Sequence, residues 1–85
     1  MGIDYRALRT VTAGELAAAL LRDGFQFVRQ TGSHQRYKHA DGRRVTLAHH
    51  ASSGTFDIKT LKSMVETQAE WTEGDLRRLK LIRSW

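Results

Sequence analysis

The sequence predicts an α+β fold with the element order α-β-β-β-α and a short extra C-terminal helix. Three observations carry this: a capped amphipathic helix ahead of Gly24, three strand-like runs broken by glycine turns between Phe25 and Ala48, and a return to helical spacing after Asp57. The 85 residues contain no repeat, low-complexity tract or proline, and read as a single domain over residues 1–85. A chain of this size buries roughly 60–65% of its unfolded surface, so the core must be small.

Residues 1–11 carry no periodic signal and read as an extended lead-in. Thr12-Ala13-Gly14-Glu15 then has the spacing of a capping box, the Thr12 hydroxyl accepting from a free amide and Glu15 reaching back. Leu16, Ala19, Leu20 and Asp23 follow at helical spacing, Leu21 widens the apolar stripe, and Gly24 supplies the stop. The period then changes. Phe25 and Phe27 alternate with Gln26 in a strand expected to run to about Gln30, Thr31-Gly32-Ser33 is the expected loop, and a second strand runs from His34 to His39.

The next turn decides which side chains share a face. With Ala40-Asp41-Gly42 as a loop and Gly42 in the left-handed region, His39 pairs with Arg43, Tyr37 with Val45 and Gln35 with Leu47. Opposed residues of an antiparallel pair point the same way, so Tyr37, Val45 and Leu47 make one apolar face, joined by Phe27 opposite Tyr37. His34, Arg36, Lys38, Arg44 and Thr46 gather on the other. A shorter Asp41-Gly42 loop would put Lys38 opposite Val45 and Arg36 opposite Leu47, burying charge, and is rejected on that ground.

Residues 48–56 read as a loop. Asp57 can cap a helix whose inward stripe is Ile58, Leu61, Val65 and Gln68 or Ala69, with Met64 at its edge; Thr72-Glu73-Gly74-Asp75 starts a last helix carrying Leu76, Leu79 and Ile82 and ending near Trp85. Helices on one face of a three-stranded meander leave the basic face wet, a layout resembling a double-stranded-RNA-binding domain.

Composition narrows the partners. Lys and Arg number 14 against 9 Asp and Glu, giving +5 and a pI near 10.2. Polyanions fit that balance, and nucleic acid fits better than a membrane surface because no long basic amphipathic helix is present. Zero cysteines excludes disulfides and thiolate metal sites. Met1 to Thr12 is too polar for a signal peptide and no apolar run approaches the ~20 residues of a membrane span, so a cytoplasmic location is expected.

The densest chemistry lies in Gly32-Ser33-His34-Gln35-Arg36-Tyr37-Lys38-His39, followed by Asp41-Gly42-Arg43-Arg44-Val45: a turn, an imidazole, an aromatic and cations, a combination suited to holding and cutting a phosphodiester. His39 lies five residues from His34 and therefore faces the other way along a strand, which argues against a shared metal site. His39, His49 and His50 read as structural or surface residues, Arg77, Arg78, Lys80 and Arg83 as a solvated helix face, and Trp71 and Trp85 as packing anchors.

The order Asp23-Gly24-Phe25, Val28-Arg29-Gln30, Gly32-Ser33-His34, Tyr37, His39, Asp41-Gly42-Arg43, Val45-Thr46 and Thr60-Leu61-Lys62-Ser63-Met64, over roughly residues 10–80, resembles the HicA (YcfA-like) toxins of toxin–antitoxin pairs. Ala40 and Lys59 stand where many members carry proline and glycine. The resemblance implies a metal-independent mRNA interferase without a cofactor, arresting translation, neutralised by a HicB-type antitoxin, and reaching operator DNA only through that antitoxin. It also implies that His34 is catalytic.

On that basis His34 is expected to act as general base or acid, with Arg36, Lys38 and Arg44 as an electrostatic clamp and Gly32 and Ser33 contacting the RNA beside them. His49, His50, Tyr37 or water could supply the second proton transfer. A binding module that holds RNA without cutting it, or a docking subunit for a protein partner, are the competing classes.

Overall fold

A computed structural model describes residues 3–48, 51 and 53–82. The elements are helix α1 (Tyr5–Leu8), helix α2 (Ala13–Arg22), strands β1 (Gln26–Thr31), β2 (His34–Lys38) and β3 (Arg44–Ala48), helix α3 (Ile58–Lys62) continuing as a π-helical segment (Ser63–Gln68), and helix α4 (Glu73–Arg78). The strands form one antiparallel sheet in the order β1-β2-β3, so the expected α+β arrangement with helices flanking a meander is present. The lead-in is not wholly extended. Asp4 accepts from the Arg6 amide and starts α1, which buries Leu8 and packs on α3. A single turn has too little local signal to be read from sequence; tertiary burial holds it.

The capping box on α2 forms as expected, with Thr12 accepting from the Glu15 amide and the Glu15 carboxylate accepting from the Thr12 amide at 2.9 Å. At the other end Gly24, at φ +99°, closes a Schellman motif: its amide donates to Leu21 and that of Phe25 to Leu20. The β2–β3 register pairs Gln35 with Leu47, Tyr37 with Val45 and Lys38 with Arg44, and the His39 amide donates to the Arg43 carbonyl across a loop in which Gly42 has φ +99°. Loop length and parity are those the charge argument required, and Ala40 serves without proline.

The first hairpin differs from expectation. Thr31 pairs with His34, leaving a two-residue Gly32-Ser33 turn, with Gly32 at φ +59° as the first central position of a type II′ turn demands. Phe27 still faces Tyr37 because a β-bulge at Val28, between Phe27 and Arg29, takes up the residue that the loop gave back.

One core lies between the sheet and the helices. Phe25, Tyr37, Val45 and Leu47 meet Leu16 and Leu20 of α2, Leu61 of α3, and Met64, Val65 and Ala69. Leu61, Val65 and Ala69 of the expected stripe are buried and Met64 joins them, while Ile58, in the first turn of α3, is 40% exposed and stays outside the core. Helix α4 stops at Arg78 rather than near Trp85 and, like α2, begins with a capping box, Thr72 with Asp75. Trp85, Arg83, His49 and His50 lie outside the described residues. No helix among the described residues is long and apolar enough to cross a membrane.

Candidate nucleic-acid interface

The strands contain four charged residues, Arg29, Arg36, Lys38 and Arg44, and all are cations. The register places them in two opposed pairs, Arg29 against Arg36 and Lys38 against Arg44. Like charges directly opposed across an antiparallel ladder destabilise a sheet. None of the four forms an ion pair among the described residues, whereas Arg6, Arg43, Arg77 and Arg78 each meet a carboxylate. The bulge adds Arg29 to the row. Sequence reasoning missed it because the expected loop length put it on the other parity.

These side chains surround an open cup of about 350 Å³ on the face opposite the helices, walled by Val28, Arg29, Arg36, Lys38, Arg44 and Thr46. Tyr37 and Val45, whose side chains are buried, also border it. Val28 is 56% exposed and supplies the apolar wall.

His34 opens β2 directly after the Gly32-Ser33 turn, exposed, between Thr31 and Ala48 in the register. Strand alternation puts it on the face of Arg36 and Lys38, two residues or about 6.8 Å of strand from Arg36. The sheet thus brings His34, Arg36, Lys38 and Arg44 onto one wet face, with His34 beside the cup rather than in its wall. Gly32 and Ser33 lie at the hairpin tip, where a Cβ on Gly32 would meet nothing within 4 Å.

A polar chain steadies that tip. The Tyr37 hydroxyl donates to Gln35 Oε1 at 2.8 Å, the Gln35 amide donates to Gln30 Oε1 at 3.1 Å, and the Gln30 amide donates to the Gly32 carbonyl at 2.8 Å. A buried tyrosine is therefore connected to the turn that presents the imidazole. Tyr37 is occupied on the core face, and burial raises its phenol above the usual range; it is not placed to exchange a proton beside His34. At the outer edge of β3, Gln68 Oε1 accepts from the free Thr46 amide at 2.8 Å, so a side chain of the π-helical turn covers part of that edge.

His39 takes a structural place. Its Nε2 lies 2.9 Å from the Asp23 carbonyl, its Nδ1 accepts from the Asp41 amide at 3.1 Å, and its ring meets Phe25 edge-on. Behind it Asp23 accepts from Trp71 Nε1 at 2.8 Å and from Arg78 Nη2 at 2.7 Å, and pairs with Arg43 at 3.3 Å. Burial pushes the Asp23 carboxyl up, but the hydrogen bonds from Trp71 and Arg78 and the two guanidinium charges outweigh it and hold the group below the usual range. Arg78 thus tethers Asp23 while staying on the solvated face expected of it, and Trp71 is the anchor expected of it. The signal available in sequence was an acid at a helix C-terminus, where the macrodipole disfavours it unless something compensates.

A comparison with curated proteins finds no match. A comparison with protein families matches residues 13–71, from the start of α2 to Trp71, to the family described as HicA toxin of bacterial toxin-antitoxin. The matched span contains the sheet, its cation row and the Gly32-Ser33-His34 turn, with α1 and α4 outside it. It covers well over half of the chain, and the protein belongs to the HicA toxin family of toxin–antitoxin systems.

Proposed function

We propose that this toxin is an endoribonuclease that cleaves mRNA, using His34 as general acid or base and the sheet cations to hold the backbone. The observation that carries the reading is the two opposed pairs of like charge, Arg29 with Arg36 and Lys38 with Arg44, unrelieved by any acid within the strands. A fold tolerates such a local conflict where function requires it, and a polyanion relieves it. Family membership supports the toxin role independently.

RNA carries its own nucleophile. The 2′-hydroxyl attacks the adjacent phosphorus, the bond to the 5′-oxygen breaks, and a cyclic phosphate and a free 5′-hydroxyl result. The protein must take a proton from the 2′-oxygen, give one to the departing 5′-oxygen and stabilise added charge on the phosphoryl oxygens. His34 serves one proton transfer, worth ~10²–10⁴ in rate. Arg36, with Lys38 and Arg44 further along the face, binds and stabilises the phosphates, while Gly32 and Ser33 offer the open hairpin tip beside the scissile bond. A HicB-type antitoxin that set acidic residues against the same cations would block RNA by charge and shape together.

The test is expression of the chain and of its His34→Ala variant, with growth followed and total RNA examined for fragments. Arrest and fragmentation with the unaltered chain, and neither with His34→Ala despite retained folding and RNA binding, is the expected outcome. Equal arrest with both would make the protein a binding module and remove the imidazole from the mechanism.

A further inference from the structure

We propose that the sheet cup is a subsite for one unpaired nucleotide, so that the substrate class is single-stranded RNA despite a layout like that of a duplex-binding domain. The inference rests on the nuclease reading for its RNA partner and extends it to a base contact. A duplex shows a protein surface mostly phosphate and sugar, and cations alone would satisfy it. This face has more than cations. The bulge puts Val28 and Arg29 side by side where a regular strand would send one of them to the core face, and Val28 together with Thr46 gives a 350 Å³ recess an apolar wall among four cationic side chains.

Beneath a duplex such a recess would hold only water. An unstacked base can enter it, place its face against Val28 and the aliphatic stems, and receive a guanidinium over its other side. Arg29 and Arg36, opposed across the ladder, then flank the base, and Lys38 and Arg44 take its phosphate. The next phosphate along an extended strand falls toward His34, about 6.8 Å of strand from Arg36. The cup thus assigns Val28, Arg29 and Thr46 as specificity residues and gives the cleavage site a neighbour whose base is splayed out.

The experiment uses full-length His34→Ala protein, so that binding is read without cleavage, and a fluorescent RNA of roughly 12 nucleotides, free or annealed to its complement, at about 150 mM salt. Binding to the single strand should be at least about tenfold tighter than to the duplex, and Thr46→Phe, which fills the cup while leaving every cation, should bring the single strand down to the duplex level without changing the duplex. Should Thr46→Phe not fold, Val28→Ser removes the apolar wall instead and should give the same selective loss. Equal binding of the two forms, no binding of either, or equal losses on both in the variant would overturn the subsite. Failure of the nuclease reading shows itself separately, as intact RNA with the unaltered chain while the strand preference stands.

Discussion

Replacing Arg36 by Gln should make the protein more stable and less able to bind RNA at the same time. The side chain becomes two atoms shorter, keeps an NH2 donor and loses its charge, which stands opposite Arg29 and two residues from Lys38 on the same face. An opposed cross-strand pair on an exposed face is worth roughly 0.2–1 kcal/mol, here of repulsive sign, so a gain of about 0.5 kcal/mol is expected at low ionic strength. At about 1 M salt the Debye length contracts to ~3 Å and the gain should vanish. Binding moves the other way. If each of the four strand cations displaces one counterion of a single strand, the slope of log K against log salt is about −2.8, and losing one brings it to about −2.1. Urea midpoints at low and high salt, with fluorescence anisotropy on RNA across a salt series, read both quantities. If Arg36→Gln destabilised the fold at low salt, or left the salt slope unchanged, the cations would not be in conflict with one another and the interface argument would lose its basis.

The remaining expectations concern the scaffold. Asp23→Asn keeps an acceptor for Trp71 but weakens its ties to Arg43, 18% exposed, and to Arg78, 53% exposed; with the exposed pair discounted, the loss should be about 3 kcal/mol, or a thermal midpoint lower by roughly 15 °C in a calorimetric scan. Because the folded state holds the Asp23 carboxyl below its usual range, its contribution is present above the unfolded-state pKa and is lost as pH falls through the folded-state value; acid urea titrations should show this fall in the unaltered protein and a shallower one in Asp23→Asn. Lys80 occupies the left-handed C′ position of the Schellman motif ending α4, at φ +61°, so Lys80→Gly should raise stability by about 0.5–1 kcal/mol by urea unfolding. Gly24→Ala combines φ +99° with a Cβ placed 3.0 Å from His39 Nε2 and should cost at least about 2 kcal/mol by the same measure, well above Gly42→Ala, which meets only the backbone penalty.

The parts of the fold legible in the sequence were those fixed by short-range chemistry or by parity. Thr12 with Glu15 and Thr72 with Asp75 announced two helices, and the refusal to bury Lys38 and Arg36 was enough to set the β2–β3 register. Parity also explains how the β1–β2 reading reached the right pair by the wrong route. A longer loop and a straight strand place Phe27 opposite Tyr37 just as a shorter loop and a bulge do, but only the bulge turns Arg29 onto the wet face. Nothing in Val28-Arg29-Gln30 distinguishes these alternatives locally, because the bulge is settled by the tight Gly32-Ser33 turn and the Phe27–Tyr37 ring contact together. The Asp23 cluster was hidden for a different reason: its partners Arg43, Trp71 and Arg78 are 20 to 55 residues away and none forms a local pattern with it. The π-helical turn likewise answers to tertiary contacts, holding Gln68 on the Thr46 amide.

The bare net charge understates how this molecule meets an anion. All nine acids lie in helices, caps and loops, and none lies in a strand. Setting aside the four strand cations leaves ten Lys and Arg against those nine acids, a residual of +1, so +4 of the +5 belongs to a single face of three short strands. Off the sheet, several cations are tied up in the scaffold: Arg43 and Arg78 hold Asp23, Arg77 pairs with Glu73, and Arg22 donates to the Leu79 carbonyl. On it they repel one another with no acid among the described residues to answer them. That division depends on one loop. Gly42 in the left-handed region allows Ala40-Asp41-Gly42 to close with His39 opposite Arg43, and this parity alone sends Arg36, Lys38 and Arg44 outward with His34 while Tyr37, Val45 and Leu47 turn in. A loop shorter by one residue would put the same composition, pI and net charge into a chain whose cations faced its own core. The basic character of the sequence therefore becomes an anion-binding surface only through strand register, and the register in turn is enforced by the cost of burying those same charges.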